Sequence, residues 1–511
     1  MDVTTRPTRS AHGPFLLGID CGQTVGKAAL FDVDGREIAV ATAATRTSSP
    51  HPLWVERDME EMWQQIAAAV RQVLTQVGPE AEVLAVGVCG HNDGLYAVND
   101  DLRPVRPAIL ATDSRAHRYA AATALGETAK EALALTGQVP FSGSLASLYA
   151  WMRDAEPQTF KDVRWALHAN DWIRLKLTGA VATDPSEASA SFTDVTTQTW
   201  SPAALDLYGL GGLEEAPPPI VGSAHVAGHV TAEAAALTGL AEGTPVATGA
   251  HDVDAAAIGI GAANPGTVSM IFGTFSINQI VADQPVMDPR WQARSFVRPG
   301  QWLHMCTSPA GASNLDWAIR RFGPWKPGGE PDPEQAIGEA KARHEQGPTP
   351  TFVPYLYGSA HGAGLAAAWV GLRGWHGRGD ILHAVLEGVV FNHRHHLEAL
   401  GEAFALYGPV RLCGGGARSS YWAQMLADAI NLPVDVTDAD EAGARGAALL
   451  AGAAAGTFTS LDDAIERSAR VLRHFDPQTD GVLALEHRYR RYQDVVAALA
   501  TLQTDEEEND Q

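Results

Sequence analysis

Before any helix can form, residues 15–44 spell three strands, and that order restricts the folds open to the chain. FLLGID (15–20) is an apolar run that ends on an acid. KAALFDV follows across a Gly-Gln-Thr turn, DG at 34–35 makes a hairpin turn, and REIAVATAA is the third strand. A helix comes next. Asp58 is its N-cap, with Glu61 at the capping-box position. Met59, Trp63, Ile66, Val70, Val73 and Val77 recur at spacings of three and four, which gathers them on one apolar face. A buried strand, VLAVGVC (83–89), and the polar loop GHNDG close the series. A meander joined to a helix-linked strand is not the βαβ opening of a dinucleotide-binding fold.

A similar mixture returns near residue 245. PVATGA is an apolar strand ending at His251-Asp252, DAAAIGIGAA is helical, and GTVSMIFGTFSINQIVA is two strands around a Gly-Thr tip. Asp20 and Asp252 therefore head two halves of comparable size. That predicts two similar lobes with a cleft between them: residues 14–248 and 249–500, followed by an acidic, solvated tail at 501–511. Length agrees, since 511 residues suggest about two to four domains. The formal net charge of −23 argues against a nucleic-acid partner, which would need a basic stripe. No apolar run is long enough to span a bilayer, and MDVTTRPTRSAHG has no signal-peptide core. Cys21, Cys89, Cys306 and Cys413 lack metal-type spacing and read as free thiols of a cytoplasmic protein.

An aspartate at a strand end is costly unless a cation or polar group meets it. Asp20 at the entrance of a hairpin with Gly22, Gln23 and Thr24 at its tip makes a phosphate and metal clamp: glycine admits a phosphate to the backbone, Thr24 offers a hydroxyl, and carboxylate oxygen suits Mg²⁺. An ordinary hairpin turn is the competing reading. GQTVGKA is not a Walker loop, because its spacing is one residue short and Ala28 replaces the required hydroxyl. Gly273 and Thr274 form a second such tip. The glycines of CGGGARSSYW (413–422) let a flat ring or a ribose approach the backbone. Asp252 is the candidate general base, with an N-cap as the alternative role, and His251 is a packing or substrate-facing neighbour. His393, His395 and His396 share a helix without an HExxH pattern and read as structural. Six tryptophans between 291 and 375 read mostly as packing residues.

Taken together, these segments resemble the FGGY carbohydrate kinases. GIDCGQT is similar to that family's first phosphate motif. GHNDGLYAVNDDLRPVRPAILATDSRA and NDWIRLKLTGAVATDPSEAS resemble its sugar-site segments. GAHDVDAAAIGIGAANPGTVSMIFGTFS resembles the base and second phosphate motif, and CGGGARSSYWAQMLADAINLPV with DEAGARGAALLAGAAAG the C-terminal signature. The resemblance runs from about residue 15 to about 500. It implies an α/β protein of two RNase H-like lobes of the actin/hexokinase type with an interlobe cleft, the sugar on the N-terminal lobe and ATP on the C-terminal lobe. It implies Asp252 as catalytic base and metal neighbour, and Asp20 as the magnesium-associated acid. Gly22, Gln23, Thr24, Gly273 and Thr274 would meet phosphate, and Gly415, Gly416, Ala417 and Ser420 would form the nucleotide turn. Asn92, Asp93, Asp113, Arg115, Asp171 and His251 would face the sugar. The family often has Trp two residues before the position of Asp113, where this chain has Ala111.

The opening stretch, SPHPLWVERDMEEMW and HMCTSPAGASNLDW look most like bacterial L-xylulose (3-keto-L-gulonate) kinases, and NDWIRLKLTGAVATDPSEAS also resembles erythritol kinases. The implied activity is transfer of the γ-phosphoryl of ATP to a small sugar, a ketopentose such as L-xylulose, with a tetritol or hexulose as alternative acceptor. An actin-like sugar sensor that binds ATP without transferring it is the rival of another class. Relatives of this kind are often dimers or tetramers, so the resemblance allows a homodimer. No interface signal is visible in the sequence.

Overall fold

The structure, a computed structural model, describes residues 13–79, 81–343, 348–359 and 365–509, with side chains as far as 501. The N-terminal segment read above as lacking a signal core lies outside the described residues. So do the side chains of the acidic tail, whose backbone continues the final helix, Thr479–Asn509. Among the described residues no helix is long and apolar enough to cross a membrane.

The chain forms two units, and neither is one continuous stretch. The first takes Met1–Asn264, Val281–His304 and Glu441–Arg470; the second takes Pro265–Ile280, Met305–Asp440 and Val471–Gln511. In the first, β1 (Pro14–Cys21), β2 (Val25–Asp32) and β3 (Glu37–Ala44) form the expected antiparallel meander. β4 (Glu82–Gly90) then pairs parallel to β1. With β5 (Val226–His229) and β6 (Pro245–Ala247) the order is β5-β6-β4-β1-β2-β3, and β7 (Ala250–His251) also pairs with β4. Phe15, Leu16, Leu17 and Ile19 are all buried, as a central strand covered on both faces requires. The helix Met59–Val77 starts where its cap predicts, with the Glu61 amide donating to Asp58 Oδ1 at 2.7 Å, and its apolar stripe covers the sheet.

The other cover is the helix Ala442–Ala454, which reaches the sheet from the far end of the sequence. Glycines let its backbone touch backbone. A Cβ on Gly18 would fall 1.8 Å from the Ala444 carbonyl oxygen, and one on Gly87 1.9 Å from that of Ala447. The same helix abuts the helix Asp252–Gly259: a Cβ on Gly446 would fall 1.8 Å from the Ala255 oxygen.

Asp252 therefore sits differently from the expectation. It does not head a second half. Ala250 and His251 pair with Cys89 and Gly90 of β4, and the helix that follows packs within the first unit, so the stretch from 249 to 264 lies with the residues before it. Both strand-ended acids belong to one unit.

The second unit repeats the hairpin-plus-parallel-strand theme. β8 (Val268–Phe272) and β9 (Ser276–Ala282) are antiparallel, β10 (Val410–Cys413) runs parallel to β8, and β11 (Val434–Thr437) and β12 (Val471–Phe475) follow. The long helix Arg378–Ala403 carries the histidine group. His393 Nδ1 and His396 Nδ1 each lie 2.7 Å from the side chain of Asn278, which makes both structural. Trp291 and Trp302 are buried as expected, whereas Trp325 and Trp375 are exposed.

Overpacking a backbone contact admits no rotamer escape, so Gly18→Ala or Gly446→Ala should cost about 3 kcal/mol. Gly338, in the helix Pro333–Lys341 with open space around it, is the control: Gly338→Ala should stabilise by up to about 1 kcal/mol. Urea unfolding of the three variants measures the contrast.

Candidate active site

Asp20 ends β1 and Asp252 follows β7, on opposite sides of β4. Asp20 and Ala250 both stand opposite Cys89, their backbones about 10 Å apart by strand spacing, so Asp20 and Asp252, two residues past Ala250, rise at the carboxyl edge of three parallel strands. Ligands of α/β sheets gather at that edge. Asp252 feels the charge of Asp20. Burial, with the charge of Asp20 behind it, pushes Asp252 up to about 8, while the Val253 amide and Arg294 pull it back. Burial pushes Asp20 up to about 6, opposed by Lys27 and reinforced by Glu441, two groups joined at 2.5 Å. Gly443, where the returning helix begins, leaves room for Asp20 Oδ2. Asp252 keeps 32% of its side-chain surface open, so a small molecule can reach it.

The hairpin tip after Asp20 is anchored through its carbonyl. Gln23 O accepts from the buried Arg57 guanidinium and from Thr45 Oγ1 at 3.4 Å, and Thr24 stays exposed. Gly22 is required by the turn itself, because a Cβ there would sit 2.7 Å from the Val25 oxygen.

Beside Asp252 lies a polar network drawn from five segments of the chain. Asn92 donates to the Ser186 carbonyl at 3.3 Å, and Ser186 Oγ accepts from the His251 amide at 2.9 Å and donates to Asp184 at 2.5 Å. Asp93 holds a left-handed backbone, φ 64°, and its Oδ2 receives Arg294 at 3.1 Å. The same guanidinium donates to Gln138 Oε1 at 2.9 Å. His251 places Nε2 3.2 Å from Asp252 Oδ1 and Nδ1 3.3 Å from Asp254 Oδ2. Burial and then the charge of Arg294 hold it well below the usual histidine range, so its ring is neutral.

Three predicted sugar-facing residues are committed elsewhere. Asp113 grips Arg115 at 2.8 Å and the Val55 amide at 2.6 Å. Arg115 also reaches Glu56 at 2.8 Å and stacks over Trp54. Burial works to raise Asp171, but Arg174 and His168 outweigh it and hold the carboxyl below the ordinary value; its oxygens receive Arg174 at 2.6 Å and the His168 amide at 3.0 Å. These groups are engaged mainly with one another and with the walls, with Arg115 Nη1 left without a hydrogen-bond partner. Sequence reasoning missed Gln138, Glu187, Asp254 and Arg294. Glu187 stands in the quoted segment DPSEAS and could have been singled out; Arg294, in the short strand Gln292–Ser295, carries no local signal.

In the second unit, the Gly273-Thr274 tip is pinned by its carbonyls, to the Ala312 amide at 2.8 Å and to Ser313 Oγ at 2.9 Å. Gly415 and Gly416 line a cavity of about 690 Å³ whose apolar walls include Leu315, Ile319 and Trp422. Ala417 and Ser420 keep the turn in shape instead: Arg473 donates to the Ala417 carbonyl at 2.7 Å and to Ser420 Oγ at 3.0 Å. A glycine floor with flat apolar walls is chemistry for a nucleobase.

The donor set at Asp20 and Asp252 suits Mg²⁺, which takes one or two carboxylates and completes its shell with water and substrate phosphates. Among the described residues no group of three or more His, Cys, Asp or Glu forms an all-protein metal cage.

Comparison with known proteins gives a consistent picture. Residues 15–259 match the N-terminal domain, and 268–455 the C-terminal domain, of the FGGY family of carbohydrate kinases. The L-xylulose/3-keto-L-gulonate kinase of Escherichia coli (strain K12) is 31% identical over 491 residues, 95% of this chain and 97% of that protein. The erythritol kinase of Brucella abortus (strain 2308) is 29% identical over 512 residues, 96% of this chain and 97% of that one. A crystal structure described as a xyloylose kinase from Brucella ovis aligns with a TM-score of 0.85 at 28% identity, over 96% of this chain and 100% of the other.

The acids at this edge should destabilise the fold. Between its ordinary 3.8 and about 8, Asp252 keeps in the folded protein a proton that the unfolded chain has lost. Stability therefore falls as pH rises through that window. Asp252→Asn should raise the Tm at pH 8 in EDTA, and the gain should vanish below about pH 4. Thermal unfolding across pH checks both ends.

Proposed function

The chain belongs to the FGGY family of carbohydrate kinases, and from that premise we propose that it phosphorylates a ketopentose such as L-xylulose with Asp252 as general base. The family makes the protein a phosphotransferase with an alcohol acceptor, ATP as phosphoryl donor and a small sugar as second substrate. The fold is the two-domain α/β fold of sugar kinases, actin/hexokinase-like. With the kinase activity given, the non-transferring sensor is set aside.

One observation carries the assignment of the base: a partly open carboxylate, elevated to about 8, at the carboxyl edge of parallel strands. An acid near the working pH is suited to accept a hydroxyl proton. Phosphoryl transfer proceeds through a loose transition state, so the protein's task is placement and charge neutralisation. Asp252 orients the acceptor hydroxyl and takes its proton as the oxygen bonds to the γ-phosphorus of ATP; ADP leaves. Asn92, Asp93 and His251 bracket the acceptor. The backbone tips at Gly22–Thr24 and Gly273–Thr274 meet phosphate, and the cavity floored by Gly415 and Gly416 takes adenosine. Asp20 and Asp252 would hold Mg²⁺, which would supply neutralising charge at the phosphates. The first unit thus serves the sugar and the second the nucleotide. Four buried cysteines, none in a disulfide, suit the cytoplasm.

L-Xylulose is our first reading because the E. coli kinase named for it and for 3-keto-L-gulonate is 31% identical over nearly the whole chain; erythritol, a tetritol, is the second because the B. abortus kinase is 29% identical over a similar span. A coupled ADP-release screen over tetritols, pentuloses, hexuloses and glycerol should give the highest kcat/KM with a pentulose. A tenfold preference for erythritol would install the alternative. Asp252→Asn should lower turnover about 10³-fold while ATP affinity changes less than about threefold. Turnover near wild type would remove Asp252 from the role of base.

A further inference from the structure

We propose that Arg294 is a specificity-determining residue of the acceptor site: latched to Asp93 and Gln138, it confines the enzyme to uncharged ketoses and polyols and turns away sugars that carry a carboxylate. This rests on the reading of that site given above and narrows its substrate class.

A carboxylated acceptor needs a cation to meet it, because a buried charge without a partner is strongly unfavourable. Arg294 is the guanidinium whose charge reaches His251, Asp252 and Asp254, and it is 2% exposed. Its charge is matched already. Asp93 Oδ2 stands 3.1 Å from it, and Gln138 Oε1 accepts from both Nε and an Nη at 3.1 and 2.9 Å. Two other buried arginines of this unit are tied to carboxylates, Arg174 to Asp171 and Arg115 to Asp113 and Glu56, while Arg57 is spent on the hairpin tip, donating to the Gln23 carbonyl and Thr45 Oγ1.

The rest of the surroundings is acceptor-rich. Asp93 Oδ1 and both oxygens of Glu187 are buried without a hydrogen-bond partner among the described residues. Both Asp254 oxygens are likewise unbonded, Oδ2 lying 3.3 Å from His251 Nδ1 but off hydrogen-bond geometry. Glu187 lies near enough to feel the charges of Asp93 and Asp252, and burial first, then those neighbours, raises it well above the usual carboxylate range. Such a region welcomes O–H donors, whereas a further anion meets Asp93 and a guanidinium that Asp93 already balances. Hydroxyl-rich neutral sugars supply the first; a sugar acid brings the second.

The test compares L-xylulose with 3-keto-L-gulonate, a neutral and a carboxylated acceptor, on the same preparation with ATP. The wild-type enzyme should favour the neutral sugar by roughly a hundredfold or more in kcat/KM. Asp93→Asn should narrow that ratio about tenfold or more, because Arg294 loses its counter-charge; asparagine tolerates the left-handed backbone at φ 64°, so the turn survives. Arg294→Gln removes the charge and should not narrow the ratio. Being a ratio on one preparation, the readout is insensitive to partial misfolding. Comparable use of both acceptors by the wild type, or an unchanged ratio in Asp93→Asn, overturns the proposal and leaves the kinase reading standing. Phosphorylation of neither sugar overturns the acceptor reading, and this proposal with it.

Discussion

Backbone lying directly on backbone is the constraint from which the first unit follows. Gly18 and Gly87 on adjacent strands, and Gly446 facing Ala255, let one helix settle against the sheet and a neighbouring helix with no side chain between them. A methyl group at any of these contacts would lift the helix away. That helix also opens beside Asp20, so the packing that closes the core fixes the surroundings of the acid at the sheet's edge. Core geometry and site geometry are here one arrangement.

The electrostatics show what the site gives up in stability. Burial lifts the proton affinity of Asp20 and Asp252, with the charge of Asp20 adding to the second, and Glu187 and Asp254 are fully buried with unbonded oxygens. A fold selected for stability alone would not gather so many acids where water is scarce. Arg294 is the partial remedy: one guanidinium balances Asp93 and moderates Asp252. The remaining acceptor capacity suits hydroxyl-bearing ligands.

Much of this was legible in the sequence where the signal is local. The three-strand opening, the Asp58 cap, the two Gly-Thr tips and the glycine turn after Cys413 all follow from short-range rules of turn and cap chemistry, and they stand where those rules put them. What escaped is non-local. Asp252 looked like the head of a second half because its strand and helix repeat the pattern around Asp20; only its pairing with β4 assigns it to the first unit. Arg294 lies 201 residues from Asp93 in a four-residue strand with no motif to mark it. Asp113, Arg115 and Asp171 were found by resemblance, yet the Asp113 and Asp171 carboxylates are bound to Arg115 and Arg174, a fact that spacing cannot reveal.

The interleaving of segments bears on how the chain is made. Strands near residue 15 wait for a cover that is not synthesised until residues 442–454, so on the ribosome the meander emerges long before its second face can be sealed. The nascent sheet must remain shielded through most of translation, and release of the carboxyl-terminal third is what completes the amino-terminal core. A chain interrupted before that helix would leave a flat, glycine-studded sheet open to solvent, prone to meet another copy rather than to persist as a half-molecule.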